Sequence, residues 1–308
     1  MSNMTRKLVL SLIAVVLTVI ALGTSTFAWF TITNIANVQP FQAQVISDEG
    51  IEIAIGEGDP LTLEWKTTLT TQDIYDYIAA KYTEGFRFNH LTSPDGRNFY
   101  GLGTGGVGLG TTEGLLELPI HFRSDSTSEI NWTQVLLSGT SASFTTRVAF
   151  TDSLGIDHTA NSSLNVNPAD AFRLSITGNI GGAVSTVAYE NPTGGTNTYL
   201  GELIAADLRG DTELVLGEPE HIGVDGAQNY FYRSNAILPG GADAVSVVET
   251  ENAITSTKIL DMTADSMLVA DAEYYGMVTV RVWFEGWDAE AYNSLLGRII
   301  TLSLRFEG

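Results

Sequence analysis

The chain contains no cysteine. That excludes disulfides, thiolate nucleophiles and cysteine-ligated zinc, so the body must rely on its core, on bound ions or on neighbouring subunits. Positive charge is scarce as well. There are 15 basic residues against 36 acidic ones, giving a net charge of −21 and a pI near 4.3. The only lysines are Lys7, Lys66, Lys81 and Lys258. A nucleic-acid partner needs a basic patch to neutralise phosphates, and this balance argues against one. The four histidines, at 90, 121, 158 and 221, form no HExxH pair, and no Gly-x-Ser-x-Gly elbow occurs. A glycosidase-type carboxylate pair has no specific signal among so many acidic residues. Catalysis is therefore unsupported, and the chain reads as a non-enzyme.

Apolar residues are plentiful, at 44% of 308. A core can form, in one large β domain or two small ones. The first apolar block is a leader. Arg6 and Lys7 precede an apolar run from Leu8 to Leu22, and small polar residues follow at 23–26. As a signal peptide it is cut after Ala28, with Thr26 and Ala28 as the small residues at −3 and −1. As a retained helix it approaches the ~20 residues that span a bilayer. Either way residues 1–28 route the chain to a membrane, and the body is expected outside, extracellular or at the cell surface.

Beyond the leader the pattern has period two, the mark of a half-buried strand. It appears at Phe41-Ala43-Val45, Ile51-Ile53-Ile55, Leu116-Leu118-Ile120-Phe122, Phe144 to Phe150, and Phe172-Leu174-Ile176. Val278-Val280-Val282-Phe284 and Ile300-Leu302-Leu304-Phe306 complete the series, so the chain closes on a strand. Helical spacing is rare. Residues 71–82 form one expected helix with Thr71 as cap. Residues 288–296 form a second, with Asp288 near its start and Gly297 ending it, and 200–208 a weaker third. Residues 96–114 are glycine-rich. They lack the Gly-Lys-Ser/Thr ending of a phosphate loop and read as a mobile surface loop. Many strands without a βαβ rhythm predict an all-β fold, a β-sandwich or jelly roll with an N-terminal hydrophobic helix and short helices in its connections. The expected division is 1–28 leader, 29–45 N-terminal extension or first strand, and 46–308 the sandwich domain.

Residues at three kinds of site stand out. Asn131-Trp-Thr and Asn161-Ser-Ser are glycosylation sequons. Carboxylates at Asp152 to Asp157, Asp48-Glu49 and Asp288 with Glu290 offer oxygens to calcium, though none has EF-hand spacing, so no cofactor is expected beyond that cation. Trp132, Trp283 and Trp287 would stack on sugars if exposed, or pack in the core, the commoner fate of strand tryptophans. His121 falls on the polar side of its strand and reads as solvated or hydrogen-bonded.

The string Gly23-Thr-Ser-Thr-Phe-Ala-Trp-Phe-Thr, followed by Ile51-Glu-Ile-Ala-Ile, resembles the TasA/camelysin group of exported bacterial and archaeal proteins. Val282-Trp-Phe-Glu-Gly-Trp-Asp resembles a pattern in exported proteins with the same kind of leader. The chain departs from the group at Phe30-Thr-Ile, where Phe-Ser-Asp is usual. The resemblance implies a jelly-roll subunit of a pilus or biofilm-matrix fibre, in which an N-terminal segment completes the sheet of the next subunit. Protease activity credited to camelysin-type members finds no zinc motif here. Trp29, Phe30, Ile32, Ile35, Phe41 and Val45 are the expected polymerisation residues. Head-to-tail donation does not close and so builds a homopolymer. The alternatives for the same aromatics are packing on their own core and anchoring at a membrane interface. The competing function is a membrane-anchored surface β-domain that binds glycan or protein.

Overall fold

The computed structural model describes residues 45–47, 50–103, 106–152, 154, 156–192, 226–235, 248–264, 272–288, 290–295 and 298–308. The chain divides into Met1–Asn34 and Ile35–Gly308, and every described residue belongs to the second unit. The expected leader helix therefore lies outside the described residues. No helix among those described is long and apolar enough to cross a membrane.

Strands dominate. In chain order they are β1 (Val45–Ser47), β2 (Ile51–Ile55), β3 (Thr68–Leu69), β4 (His90–Thr92), β5 (Phe99–Gly103) and β6 (Gly106–Thr111). Next come β7 (Leu116–Ser124), β8 (Glu129–Gly139), β9 (Ala142–Thr145), β10 (Phe150–Thr151), β11 (Asp157–His158) and β12 (Ser163–Val166). The last are β13 (Phe172–Ile180), β14 (Ala183–Glu190), β15 (Thr257–Asp261), β16 (Thr263–Ala264), β17 (Tyr274–Glu285) and β18 (Ile300–Glu307). Two α-helices are described, α1 (Thr71–Lys81) and α2 (Gly226–Asn235).

Two sheets make an all-β sandwich, as the alternation predicts. The smaller runs β15-β8-β18-β1-β3. The larger runs β14-β13-β17-β4-β5-β6, with β7 and β16 also on β17 and β2 on β7. β17 is its spine: Val280 stands opposite Ile176 on one side and Leu118 on the other. Pairing is mostly antiparallel, with β1 parallel to β18 and β4 parallel to β17. Leu116, Leu118, Ile120 and Phe122 of β7, Leu174 and Ile176 of β13, Val278, Val280 and Val282 of β17 and the even-numbered residues of β18 are buried on one face of their strands. Phe122 meets Phe306 between the sheets with ring centroids 5.2 Å apart, and Trp132 meets Tyr189 at 6.2 Å. Each such burial is worth about 1.5–3 kcal/mol.

The sheets approach closely where β13 passes β15. A Cβ at Gly178 would drive into the backbone carbonyl oxygen of Ile259. Gly178→Ala should therefore lower stability by about 1–3 kcal/mol in urea denaturation. Gly101→Ala, with open space around it, is the control and should cost under about 0.5 kcal/mol. Equal losses at both sites would show that the close approach is not the cause.

Several local expectations need correcting. The helix at 71 begins one residue later than its cap: Thr70, not Thr71, is the N-cap. The Thr70 hydroxyl accepts from the Asp73 N–H while the Asp73 carboxylate accepts from the Thr70 N–H. The stretch from Phe144 to Phe150 is not one strand; it breaks between β9 and β10, which join separate two-stranded ribbons. The glycine-rich segment is no surface loop along its length. β5 and β6 form a hairpin anchored by buried Phe99 and Leu102. In place of a helix at 288–296 there is only a short 3-10 turn at Asn293–Leu295 among the described residues. The expected helix at 200–208 lies outside them. α2 had no clear signal, since Asn, Tyr, Phe and Ser are indifferent helix formers; burial of Ala227, Tyr230 and Phe231 holds it.

Candidate functional site

The residues expected to drive assembly fall at the start of the chain. Trp29, Phe30, Ile32, Ile35 and Phe41 lie outside the described residues, as do Arg6, Lys7, Leu8, Leu22 and Ala28. Val45 is described as backbone. It opens β1, which pairs with its own chain: Val45 stands opposite Leu304 of β18 and Leu69 of β3. The division between extension and body at 45 and 46 thus runs through a strand. β1 runs beside only the last part of β18. β8 covers the other flank of β18 along its length.

The two sequons differ in setting. Asn161 is exposed in the turn between β11 and β12, with φ of 66°. Asn131 is half-buried in β8, with Lys258 and Glu307 as its strand neighbours.

Of the two fates open to the tryptophans, the structure shows core packing. Trp132, Trp283 and Trp287 are all 0% exposed. The face of β17 that carries Trp283 is covered at this end, because Leu91, Phe99 and Leu115 pack there with Val248 against the cluster. Phe99 meets Trp283 edge-on at 5.1 Å.

Beside Trp283 lies a buried charge cluster that sequence reading missed. Arg173, on β13, is paired in register with Trp283 and is fully buried. Its guanidinium sits 2.7 Å from Asp288 Oδ2 and 3.2 Å from Glu190 Oε2. Glu285 accepts from the Trp283 indole N–H at 3.0 Å and from the Trp287 backbone N–H at 3.1 Å. Asp288 accepts from the Glu290 N–H at 2.8 Å, and Glu190 from the Thr250 hydroxyl at 2.8 Å. Burial pushes Glu285 up to about 7 against the pull of Arg173, and Asp288 up to about 6 in the same way. Asp288 is drawn to Arg173, and the chain around it makes tight turn bonds, Asp288 N–H to Glu285 O and Ala291 N–H to Asp288 O. That is why a regular helix does not begin there. The signal available in advance was local: Arg173 and Trp283 each stand between apolar neighbours in a strand, on the face opposite the core.

Calcium finds no comparable support. Asp152 Oδ1 accepts from the N–H groups of Leu154 and Ile156, and Oδ2 lies 2.8 Å from His158 Nε2. Asp48 and Glu49 lie outside the described residues. Among the described residues no three His, Asp or Glu side chains converge as metal ligands.

A concave surface lies on the outer face of the larger sheet. It is an open cleft of about 500 Å³, floored by outward residues of β7 and β17 and walled by the 56–60 loop and the end of α1. His121 is hydrogen-bonded, not solvated. Its Nδ1 lies 2.8 Å from the Tyr275 hydroxyl and its Nε2 2.9 Å from the Gly56 carbonyl. Burial lowers its pKa, with the Gly56 carbonyl opposing. Glu117 accepts from Arg281 Nε at 2.8 Å, and Arg281 also donates to Thr177 at 3.0 Å. Lys81 pairs with Glu57 at 2.6 Å. Burial opposes the charge on Lys81, yet its bonds to Glu57 and Tyr77 hold its pKa above the usual range.

No protein-family model, no curated protein and no solved structure matches this chain.

Proposed function

We propose that the chain is a structural subunit of an extracellular filament, assembled head to tail by donation of its N-terminal segment. The observation that carries this reading is the position of β1. It brings the start of the body in beside the C-terminal strand, in parallel, so that the first described strand joins the sheet as one added to β18 from the N-terminal side. A segment donated to a sheet edge of a second copy would gain main-chain hydrogen bonds and bury Trp29, Phe30 and Ile32, large apolar residues placed just past the leader. The acidic, cysteine-free composition suits an exported body that is held by its core and its neighbours. The membrane is a partner during export or assembly, and no catalytic role belongs to this reading.

Purified mature protein is expected to sediment as polymers. Deleting residues 29–36 should leave a folded monomer with unchanged β-sheet circular dichroism. Monodisperse wild-type monomer at high concentration would refute donation. A second reading, a surface β-domain that binds glycan or protein, is favoured by one observation, the open cleft on the outer face of the larger sheet.

A further inference from the structure

We propose that this cleft is a binding site for a neutral saccharide segment, whether or not the chain polymerises. Its volume, about 500 Å³, falls within the range of small-ligand clefts. Its charges cancel locally. Lys81 is paired with Glu57, Arg281 with Glu117, and the buried His121 is kept towards its neutral form. An anionic ligand would meet both glutamates as well as the field of a chain carrying −21. A cationic ligand would meet Lys81 and Arg281. A neutral ligand escapes both penalties.

The pairs also select the kind of neutral ligand. Each ion pair fixes a donor beside an acceptor and leaves hydrogen-bonding capacity on both. Glu117 keeps a second carboxylate oxygen, and the Lys81 ammonium has three N–H groups. Vicinal hydroxyls, each both donor and acceptor, match such adjacent sets. The side chains are held by one another in advance, so little rotamer freedom remains to be lost on binding. The Tyr275 ring, half-buried, and Met277, 44% exposed, supply apolar contact for the C–H face of a sugar ring. Met277 is a large apolar side chain standing among polar neighbours on an outer face, and a ligand with one apolar face would cover it.

The test is calorimetric titration of the full-length protein with a panel of neutral oligosaccharides of hexose and N-acetylhexosamine units. Sulfated and uronic-acid oligosaccharides and a glucosamine oligomer serve as charged controls. At least one neutral oligosaccharide should saturate a single site in the millimolar range or tighter. Glu117→Ala should weaken it about tenfold or more by removing a charged hydrogen-bonding group. Met277→Asp, at an exposed position that threatens no core contact, should weaken it comparably with an unchanged thermal midpoint. The proposal is overturned if no neutral oligosaccharide binds, if only the charged controls bind, or if neither substitution alters binding.

Discussion

Replacing Arg173 with methionine is expected to destabilise the fold by about 3–5 kcal/mol near pH 8, and by much less near pH 5. Methionine fills similar space but leaves Asp288, Glu190 and Glu285 in the interior without their cation. Removing one partner of a buried ion pair strands the other, which is why the loss exceeds anything a surface pair would show. Near pH 5 protons take the place of the guanidinium on Glu285 and Asp288, and most of the penalty disappears. Arg173→Lys keeps the charge but not the planar fork that reaches two carboxylates, so it should fall between wild type and Arg173→Met.

The wild-type protein should show the same cluster in its pH profile. Glu285 is raised to about 7 and Asp288 to about 6, so the folded state holds these protons more tightly than the unfolded chain. Their contribution to stability is fully present below the unfolded carboxyl pKa and is lost as pH rises through about 6 to 7. For one such carboxyl the change is on the order of 3 kcal/mol. The groups that face this pair are Arg173 from β13, Glu190 from β14 and Glu290 from the following turn. Denaturation curves at the two pH values, for wild type and Arg173→Met, test both statements. A pH-independent loss in the variant would mean that the arginine acts through packing alone.

The sandwich was legible because its main strands bury one face and leave the other to polar groups. In β18, Ile300, Leu302, Leu304 and Phe306 are all buried and the residues between them are not, so period two reads directly. The same rule failed where both faces are covered. Arg173 and Ser175 on β13 and Trp283 and Glu285 on β17 are buried on the far side, under a cover built from distant segments. β5 and β6 were illegible for another reason. Their glycines offer no alternation, and a register shift between Tyr100 and Leu102 lets the strand's two anchors sit three residues apart. Long-range pairing leaves no local trace at all. Val45 showed its alternation, but nothing near it announced that its partner would be the strand closing the chain. The cleft was hidden likewise, since His121 and Tyr275 meet across 154 positions.

Trp132→Ala carries the second large expected effect, a loss of about 3–5 kcal/mol. Trp132 sits in β8 between β15 and β18, with Thr257 and Phe306 as its strand neighbours. Both ladders shift register close to it, between Lys258 and Leu260 on one side and between Arg305 and Phe306 on the other. Its Nε1–H donates to the Gln134 carbonyl at 2.9 Å, so the one polar group of the ring is satisfied inside the core. Its ring meets Tyr189 of the opposite sheet edge-on. Alanine would remove that contact between the layers and leave a cavity that the two register shifts cannot close, because β18 is held along its length by β8. Trp132→Phe keeps the contact, loses the hydrogen bond, and should cost less. A surface platform for sugars would behave in the opposite way: its truncation would abolish binding and leave the denaturation midpoint within about 0.5 kcal/mol of wild type. Urea denaturation of the two variants therefore decides between a core and a surface role for this tryptophan, independently of any ligand.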